Sequence, residues 1–478
     1  MSNQAFTSRA VTGLKRLGKA WGRRILGAGY RPELTPSHWG LERCEGELTL
    51  RGVKLSSIVA THGTPLHVVD EARLMDNLKA FQTVPSGLSQ ALDVFYSYKT
   101  NPLPWVLETL HRHGAGAEVI SEYELWLAIQ LNVPAHKIVF NGPAKSHASL
   151  ETAIKLGIHS IHVNNLEELD LIARLAQQLG RRARVGIRIT SLTGWTGQFG
   201  FPVEDGSAFQ AYERALSLPS LEVVALHSHR GFLIRDEPTL RSYLGFLLDF
   251  CLTLHQRLGW SPQVLDVGGS LAVPTTRYLD AKEIRRSVRY LVPPKPPQPE
   301  ATLGAARYAE IVLRQVQSHF LAQRLTEPQI ITEPGRALTA NAQMLIASVE
   351  NIRKSDDFDF AVLDAGVSVA SIVTSEYHAL LPLREGTHPS RCHRVVGPIC
   401  HMGDTLFPAQ YLSPLQVGDA LAILDSGAYF IADASSFSFP QPAVVALTCR
   451  AEVVKVRERE SFEHLVSLDH FTRGSERR

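Results

Sequence analysis

Val94-Phe95-Tyr96-Ser97-Tyr98-Lys99-Thr100-Asn101 opens the part of the chain that decides the fold, and Gln329-Ile330-Ile331-Thr332-Glu333-Pro334-Gly335-Arg336 closes it. Each is a short β-prone run that breaks into polar and turn-forming residues. Between them, further β-branched runs fall near residues 116–120, 137–141, 159–163, 183–190, 222–227 and 263–267. Helical patterns separate most of them, as at Glu122–Gln130, Leu166–Gln178 and Leu240–Leu258. Strands alternating with helices predict a (β/α)8 barrel, with an open doubly wound sheet as the alternative. Closure is preferred because chemistry-bearing residues follow strands one, six, seven and eight, and only a closed barrel sets the first strand beside the eighth.

Outward from the barrel the pattern changes. Past residue 340, strand-like runs at Met344–Val349, Phe360–Leu363, Leu421–Leu424 and Val444–Leu447 predict a β-rich domain, joined by Leu66-His67-Val68-Val69 from before the barrel. The expected division is a basic extension over 1–35, a segment of the β-domain over 36–75, the barrel over 76–342, the C-terminal β-domain over 343–460 and a tail over 461–478. In the extension, Val11, Leu14, Leu17, Trp21 and Ile25 recur at helical spacing among basic residues. That pattern suits either a surface-docking amphipathic helix or a solvated extension. The stretch Pro293-Pro294-Lys295-Pro296-Pro297-Gln298-Pro299 is expected to be an exposed extended loop near the barrel mouth.

Composition excludes several classes. Of 478 residues, 44% are hydrophobic and 20% charged, and the net charge of +2 gives no field for nucleic acid. There is no apolar run of about 18 residues, hence no expected transmembrane segment. The five cysteines, Cys44, Cys251, Cys392, Cys400 and Cys449, are scattered and form no C-x-x-C pair, which suits a reducing, cytoplasmic setting. No H-x-x-x-H pair with a nearby acid is present, and no metal is expected.

The residues after the strands point to one cofactor. Lys99 offers an amine, and partial desolvation at a barrel mouth is expected to lower its pKa. Gly268-Gly269-Ser270 after strand seven and Gly335-Arg336 after strand eight match the phosphate site of such barrels. Glu333 offers a carboxylate to a pyridine nitrogen, and His229, after strand six, an aromatic ring. Lysine, imidazole, anion cradle, carboxylate and arginine together suit pyridoxal 5'-phosphate. Singly, each has a plainer reading as a solvated lysine, a tight turn, a surface ion pair or a core histidine.

These motifs resemble those of the fold-type III pyridoxal-phosphate enzymes, in particular the diaminopimelate/ornithine decarboxylase family with its alanine-racemase-like barrel. The likeness runs from about residue 60 to 450. It takes in Tyr98-Lys99-Thr100-Asn101, Leu226–Gly231, Leu265–Gly269 and Glu333–Arg336, then Asp364-Ala365-Gly366, Gly397-Pro398-Ile399-Cys400 with Gly403-Asp404, and Asp425–Tyr429. The resemblance implies that Lys99 forms the internal aldimine, His229 stacks on the ring and Glu333 pairs with the ring nitrogen. It places Gly268, Gly269, Ser270, Gly335, Arg336 and Tyr429 around the phosphate. It also implies a homodimer with shared active sites, in which Cys400 of one subunit reprotonates the carbanion in the other. His401, Asp404, Tyr377 and Arg336 are the expected substrate contacts.

Departures from the family pattern bear on the substrate. The acid that usually follows the cysteine is His401, and Val367–Ser371 lacks the substrate-binding arginine of diaminopimelate decarboxylases. Ser270 replaces a glycine, Phe232 a serine, and Phe437-Ser438-Phe439 an aromatic-Asn segment. Without that acid, the expected substrate is a modified, acylated or carrier-bound amino acid of a specialised biosynthetic route, unless Asp404 or Glu376 supplies the charge. The alternatives are decarboxylation of free diaminopimelate, ornithine or lysine, a racemase, and a non-catalytic binding protein.

Overall fold

The computed structural model describes residues 34–470 except 89, 192–197 and 232, so the N-terminal helix pattern and Phe232 lie outside the described residues. Eight parallel strands form a closed barrel: Asp93–Ser97, Gly116–Val119, Ile138–Phe140, Ser160–Val163, Ala183–Thr190, Leu221–Ser228, Val264–Asp266 and Gln329–Thr332. Closure is direct, with Ile331 in register with Asp93 and Thr332 with Val94. The helices start where side chains cap free backbone N–H groups: Ser121 accepts from Glu124, Asn165 from Glu168 and Asp236 from Thr239. Their apolar faces pack on the strands in one continuous core.

The barrel interior is crowded, and one glycine shows why its residue type is needed. A Cβ on Gly186 would come within 2.5 Å of the His162 ring and 2.8 Å of the Ala225 Cβ. With Gly186 there, His162 and His227 stack at 4.4 Å across the interior.

In the β-domain, strand Leu66–Asp70 lies between Gln343–Arg353, antiparallel to it, and Ala443–Leu447, parallel to it. Beyond Gln343–Arg353 the sheet continues through Asp359–Leu363, Arg391–Val396 and Thr405–Leu412. A small antiparallel sheet over residues 41–54 packs against this domain. A polar chain crosses the seam to the barrel. Asn101 donates to Gln343 at 2.9 Å, and Gln343 donates to His67 Nδ1 at 3.0 Å.

The proline stretch differs from its expected exposure. Pro293 and Pro297 are buried, the Lys295 carbonyl accepts from Arg277, and the Lys295 N–H faces Glu283. Prolines lack N–H groups, but their carbonyls and flat rings still pack, and the helix Ala281–Tyr290 before them supplies the partner surface.

Candidate active site

A cavity of about 580 Å³ opens where the barrel strands end at their C-terminal edge. Lys99, His229, Ser270, Glu333, Gly335, Arg336 and Tyr429 line it, so most of the residues expected around the cofactor are brought together. Lys99 sits on a short turn directly after strand one. Protein surrounds it on nearly all sides, yet its side chain is reachable by water from within the cavity.

The electrostatics of Lys99 correct the expected direction. Burial alone disfavours its charge, but Glu118, Tyr429 and Glu333 outweigh burial and raise its pKa above the ordinary lysine value. The carboxylates around it therefore favour the ammonium form of Lys99. Glu118 is raised in turn, by burial against the pull of Lys99 and with repulsion from Glu333.

Glu333 is nearly fully buried. Its Oε1 accepts from Asn141 Nδ2 at 2.6 Å, and the same amide donates to Glu118 at 2.9 Å. The His227 ring nitrogen lies 3.4 Å from Glu333 Oε2. Burial pushes the Glu333 pKa up, but the neighbouring His227, then Asp266 and His162, hold it well below the carboxylate range. An ionised carboxylate at the end of strand eight is what a pyridinium nitrogen requires.

The Gly268–Ser270 end of the cavity is built of backbone. Gly268 has φ +64°, and Ser270 follows at φ +76°, a left-handed conformation unusual for a residue with a side chain. A Cβ on Gly269 would meet the Glu333 carbonyl at 2.4 Å, so strands seven and eight approach this closely only with glycine there. His229 accepts from the Gly269 N–H at 3.2 Å and bonds Ser270 Oγ at 3.0 Å. Burial, with Lys99 and Arg188 nearby, lowers the His229 pKa to about 3, so the ring is neutral and can stack on another ring. Arg336 is ion-paired to Glu376 and lies 4.7 Å over the Tyr429 ring, which is itself at φ +70°.

Glu118, Asn141 and Arg188 also line the cavity and were not expected from the sequence. Each sits at or just past the end of a barrel strand, and that position was the one available signal. Below them, ligand atoms of His162, His227, Asp266 and Glu333 lie within 4.8 Å of one another, a group that sequence spacing did not reveal.

The remaining expected residues lie elsewhere. Among the described residues lining the cavity, Cys400, His401, Asp404 and Tyr377 do not appear. Cys400 and His401 are exposed on the loop between Arg391–Val396 and Thr405–Leu412. Asp404 is buried, and its two oxygens accept from the Val367 and Ile399 N–H groups at 2.7 and 2.8 Å. Glu376 is occupied by Arg336, so neither acid is free to replace the carboxylate missing at His401. Tyr377 is half-buried and packs against the core shared by the β-domain and the small sheet. It also lines a second cavity with Glu376 and Met402.

Residues 72–340 match the family model described as the pyridoxal binding domain of pyridoxal-dependent decarboxylases. A diaminopimelate decarboxylase from Aquifex aeolicus is 29% identical over 445 residues, covering 90% of this chain and 97% of that protein. One from Pseudomonas aeruginosa is 29% identical over 438 residues, covering 88% and 96%. The crystal structure of the Methanocaldococcus jannaschii diaminopimelate decarboxylase in complex with L-lysine superposes with a TM-score of 0.80 at 26% identity, covering 90% of this chain and 98% of that one. A lysine open only to the cavity and an ionised glutamate face that one cavity beside a glycine-built turn, so the residues present fit pyridoxal phosphate. The chain belongs to the pyridoxal-dependent decarboxylases, carboxy-lyases that work with pyridoxal phosphate.

Proposed function

We propose that this chain removes the α-carboxylate of a free diamino acid of the diaminopimelate class. The observation that carries the reading is similarity to diaminopimelate decarboxylases along nearly the whole of both chains, not the barrel alone. Bound pyridoxal phosphate supplies the electron sink for the carbanion left when carbon dioxide departs. Lys99 provides the amine that holds the cofactor aldehyde, after giving up the proton that Glu118 and Glu333 favour on it. Glu333 keeps a negative charge for the ring nitrogen, and neutral His229 covers a ring face without repelling a cation. The Gly268–Ser270 turn, Gly335, Arg336 and Tyr429 hold the phosphate end. Arg336, already charge-matched by Glu376, also presents a donor fork toward a substrate carboxylate.

Cys400 is the proposed proton donor to the carbanion, reaching it from a second copy of the chain. Its exposure, away from its own chain's cavity lining, supports that arrangement. A homodimer with shared sites follows from it. His401 would then meet the distal end of the substrate.

A second reading keeps the modified or carrier-linked substrate. His401 supports it, because an imidazole that accepts from the Gly403 N–H is a poor anchor for a distal ammonium. Near-full-length likeness to enzymes named for the free amino acid favours the first reading.

The test is carbon dioxide release by the pyridoxal-phosphate-loaded protein on L and D forms of diaminopimelate, ornithine, lysine, arginine and glutamate, and on acylated or carrier-linked derivatives. Release from a free diamino acid is expected. Release from derivatised substrates alone would establish the second reading, and racemisation without release would overturn both.

A further inference from the structure

Around Glu333 the barrel holds a second carboxyl, Asp266, and two imidazoles, His162 and His227, with almost no water access. Asp266, at the end of strand seven, is fully buried. Its Oδ1 accepts from the Gly268 N–H at 2.8 Å, while its Oδ2 is buried with no standard hydrogen-bond partner. That second oxygen lies 3.7 Å from His162 Nδ1, in the 4.8 Å group that contains Glu333. Both ring nitrogens of His227 also lack a well-aligned partner, and the ring is stacked on His162.

Two adjoining buried carboxyls cannot both ionise without severe repulsion, and one must keep a proton. Glu333 has the Asn141 side-chain donor on Oε1 at 2.6 Å and an imidazole 3.4 Å from Oε2, whereas Asp266 has one backbone N–H on Oδ1 and an imidazole farther off, 3.7 Å from Oδ2. The proton therefore belongs on Asp266, at the oxygen left without a partner. Burial, then the nearby Glu333, pushes the Asp266 pKa well above the ordinary range, in agreement with this placement.

The same four residues could be taken for a metal site, but geometry and charge argue otherwise. The two imidazoles stack at 26° between planes, the contact of neutral rings lying face to face. Burial first, then each other's proximity, lowers the pKa of His162, and burial likewise lowers that of His227. A dication would also compete for the Glu333 carboxylate that the cofactor needs.

We propose that Asp266 is a positioning residue: it stays protonated, donates its carboxyl hydrogen to Glu333, and so fixes one negative charge, in one orientation, toward the cofactor's ring nitrogen. This rests on the reading that Glu333 pairs with that nitrogen. It gives the Leu265-Asp266-Val267-Gly268-Gly269 segment two tasks from one side chain. Asp266 Oδ1 sets the Gly268 turn of the phosphate cradle, and Oδ2 sets the charge at the opposite end of the ring. Both ends of the cofactor site are thus referenced to a single carboxyl.

D266N separates the protonated acid from the carboxylate. Asparagine can accept from Gly268 with its oxygen and donate to Glu333 with its amide, as the protonated acid does. Valine, of similar size, can do neither. In D266N holoenzyme, cofactor dissociation and the pH dependence of the visible absorption band are expected to stay near wild type. In D266V, retention of pyridoxal phosphate should fall about ten- to hundredfold, the range for a hydrogen bond to a charged group. The band should also titrate at lower pH, with kcat falling more than KM rises.

Equal loss in D266N and D266V would overturn the proposal, because it would mean that the ionised carboxylate is needed. Wild-type behaviour of D266V would overturn it too. So would a stoichiometric divalent metal in purified wild-type protein that D266N lacks. Should D266V fail to fold, D266N decides alone by the same criterion. Wild-type protein that holds pyridoxal phosphate yet decarboxylates nothing would sink the functional reading and leave the cofactor-retention comparison in force.

Discussion

The barrel interior and the loop over residues 397–404 are built in opposite ways. In the barrel, charged and polar side chains face inward and answer one another: Lys99 to Glu118, Glu118 to Asn141, Asn141 to Glu333. In the loop, the inward work falls to one residue, Asp404, which binds two backbone N–H groups and lies against Gly366 and Gly397. Cys400, His401 and Met402 face solvent, with Met402 97% exposed. The barrel gathers its charged cluster within one chain. The loop is complete only as a scaffold, and its reactive side chains suit an encounter with something beyond the chain.

The largest effect that could break this contrast is at Lys99. K99A should lower decarboxylation by about a thousandfold or more and remove the covalently held cofactor, measured by turnover and by absorption after denaturation. A folded K99A that kept full turnover would remove the barrel from the chemistry.

C400A should lower kcat by about 10²–10³-fold while the cofactor stays bound, as for loss of a positioned proton donor. Mixed after subunit exchange, K99A and C400A should regain part of the activity, because one site in each hybrid dimer is intact. No regain would place Cys400 in its own chain's site and dissolve the contrast.

D404A probes the scaffold alone. It leaves one buried and one partly buried N–H group without an acceptor and should cost about 1–3 kcal/mol, read by denaturant unfolding, with cofactor binding unchanged.

Acid should test the seam between the regions. Burial, with Arg457 nearby, lowers the His67 pKa to about 3, against an ordinary 6.5. Between those values the unfolded chain binds the extra proton, so the stability contributed by neutral His67 is intact above about 6.5 and is lost as pH falls toward 3. H67Q should flatten part of that acid limb, followed by thermal unfolding against pH. A limb unchanged by H67Q would exclude the His67–Gln343–Asn101 chain as its source.

The smallest effect is at the loop tip. H401E should leave kcat within a few-fold and improve KM for diamino over acidic substrates, since it restores a carboxylate for a distal ammonium. An unchanged preference would remove His401 from specificity.

The sequence was legible where local rules act. All eight barrel strands fall where β-branched runs predicted them, and the helices Glu122–Gln130 and Leu166–Gln178 match their expected bounds. Lys99, Glu333, Gly335 and Arg336 could be read because glycine, proline and charge cluster directly after strands. Glu118, Asn141 and Arg188 could not, since each stands alone in its segment and gains meaning only when closure turns it toward Lys99. The Lys99 pKa went the other way for the same reason: desolvation is a local guess, whereas the opposing carboxylates come from strands two and eight. The proline stretch is likewise held by Arg277 and Glu283, whose contacts to the Lys295 backbone composition alone does not show.

Strand Leu66–Asp70 is made before the barrel, yet both of its neighbours, Gln343–Arg353 and Ala443–Leu447, are made after it. On the ribosome the barrel can close while this apolar strand still waits with both edges open. The β-domain is therefore assembled from segments on both sides of the barrel in sequence. A nascent chain stalled before Ala443 would leave one edge of this strand unpaired, which makes synthesis of Ala443–Leu447 the step that closes an edge open to aggregation.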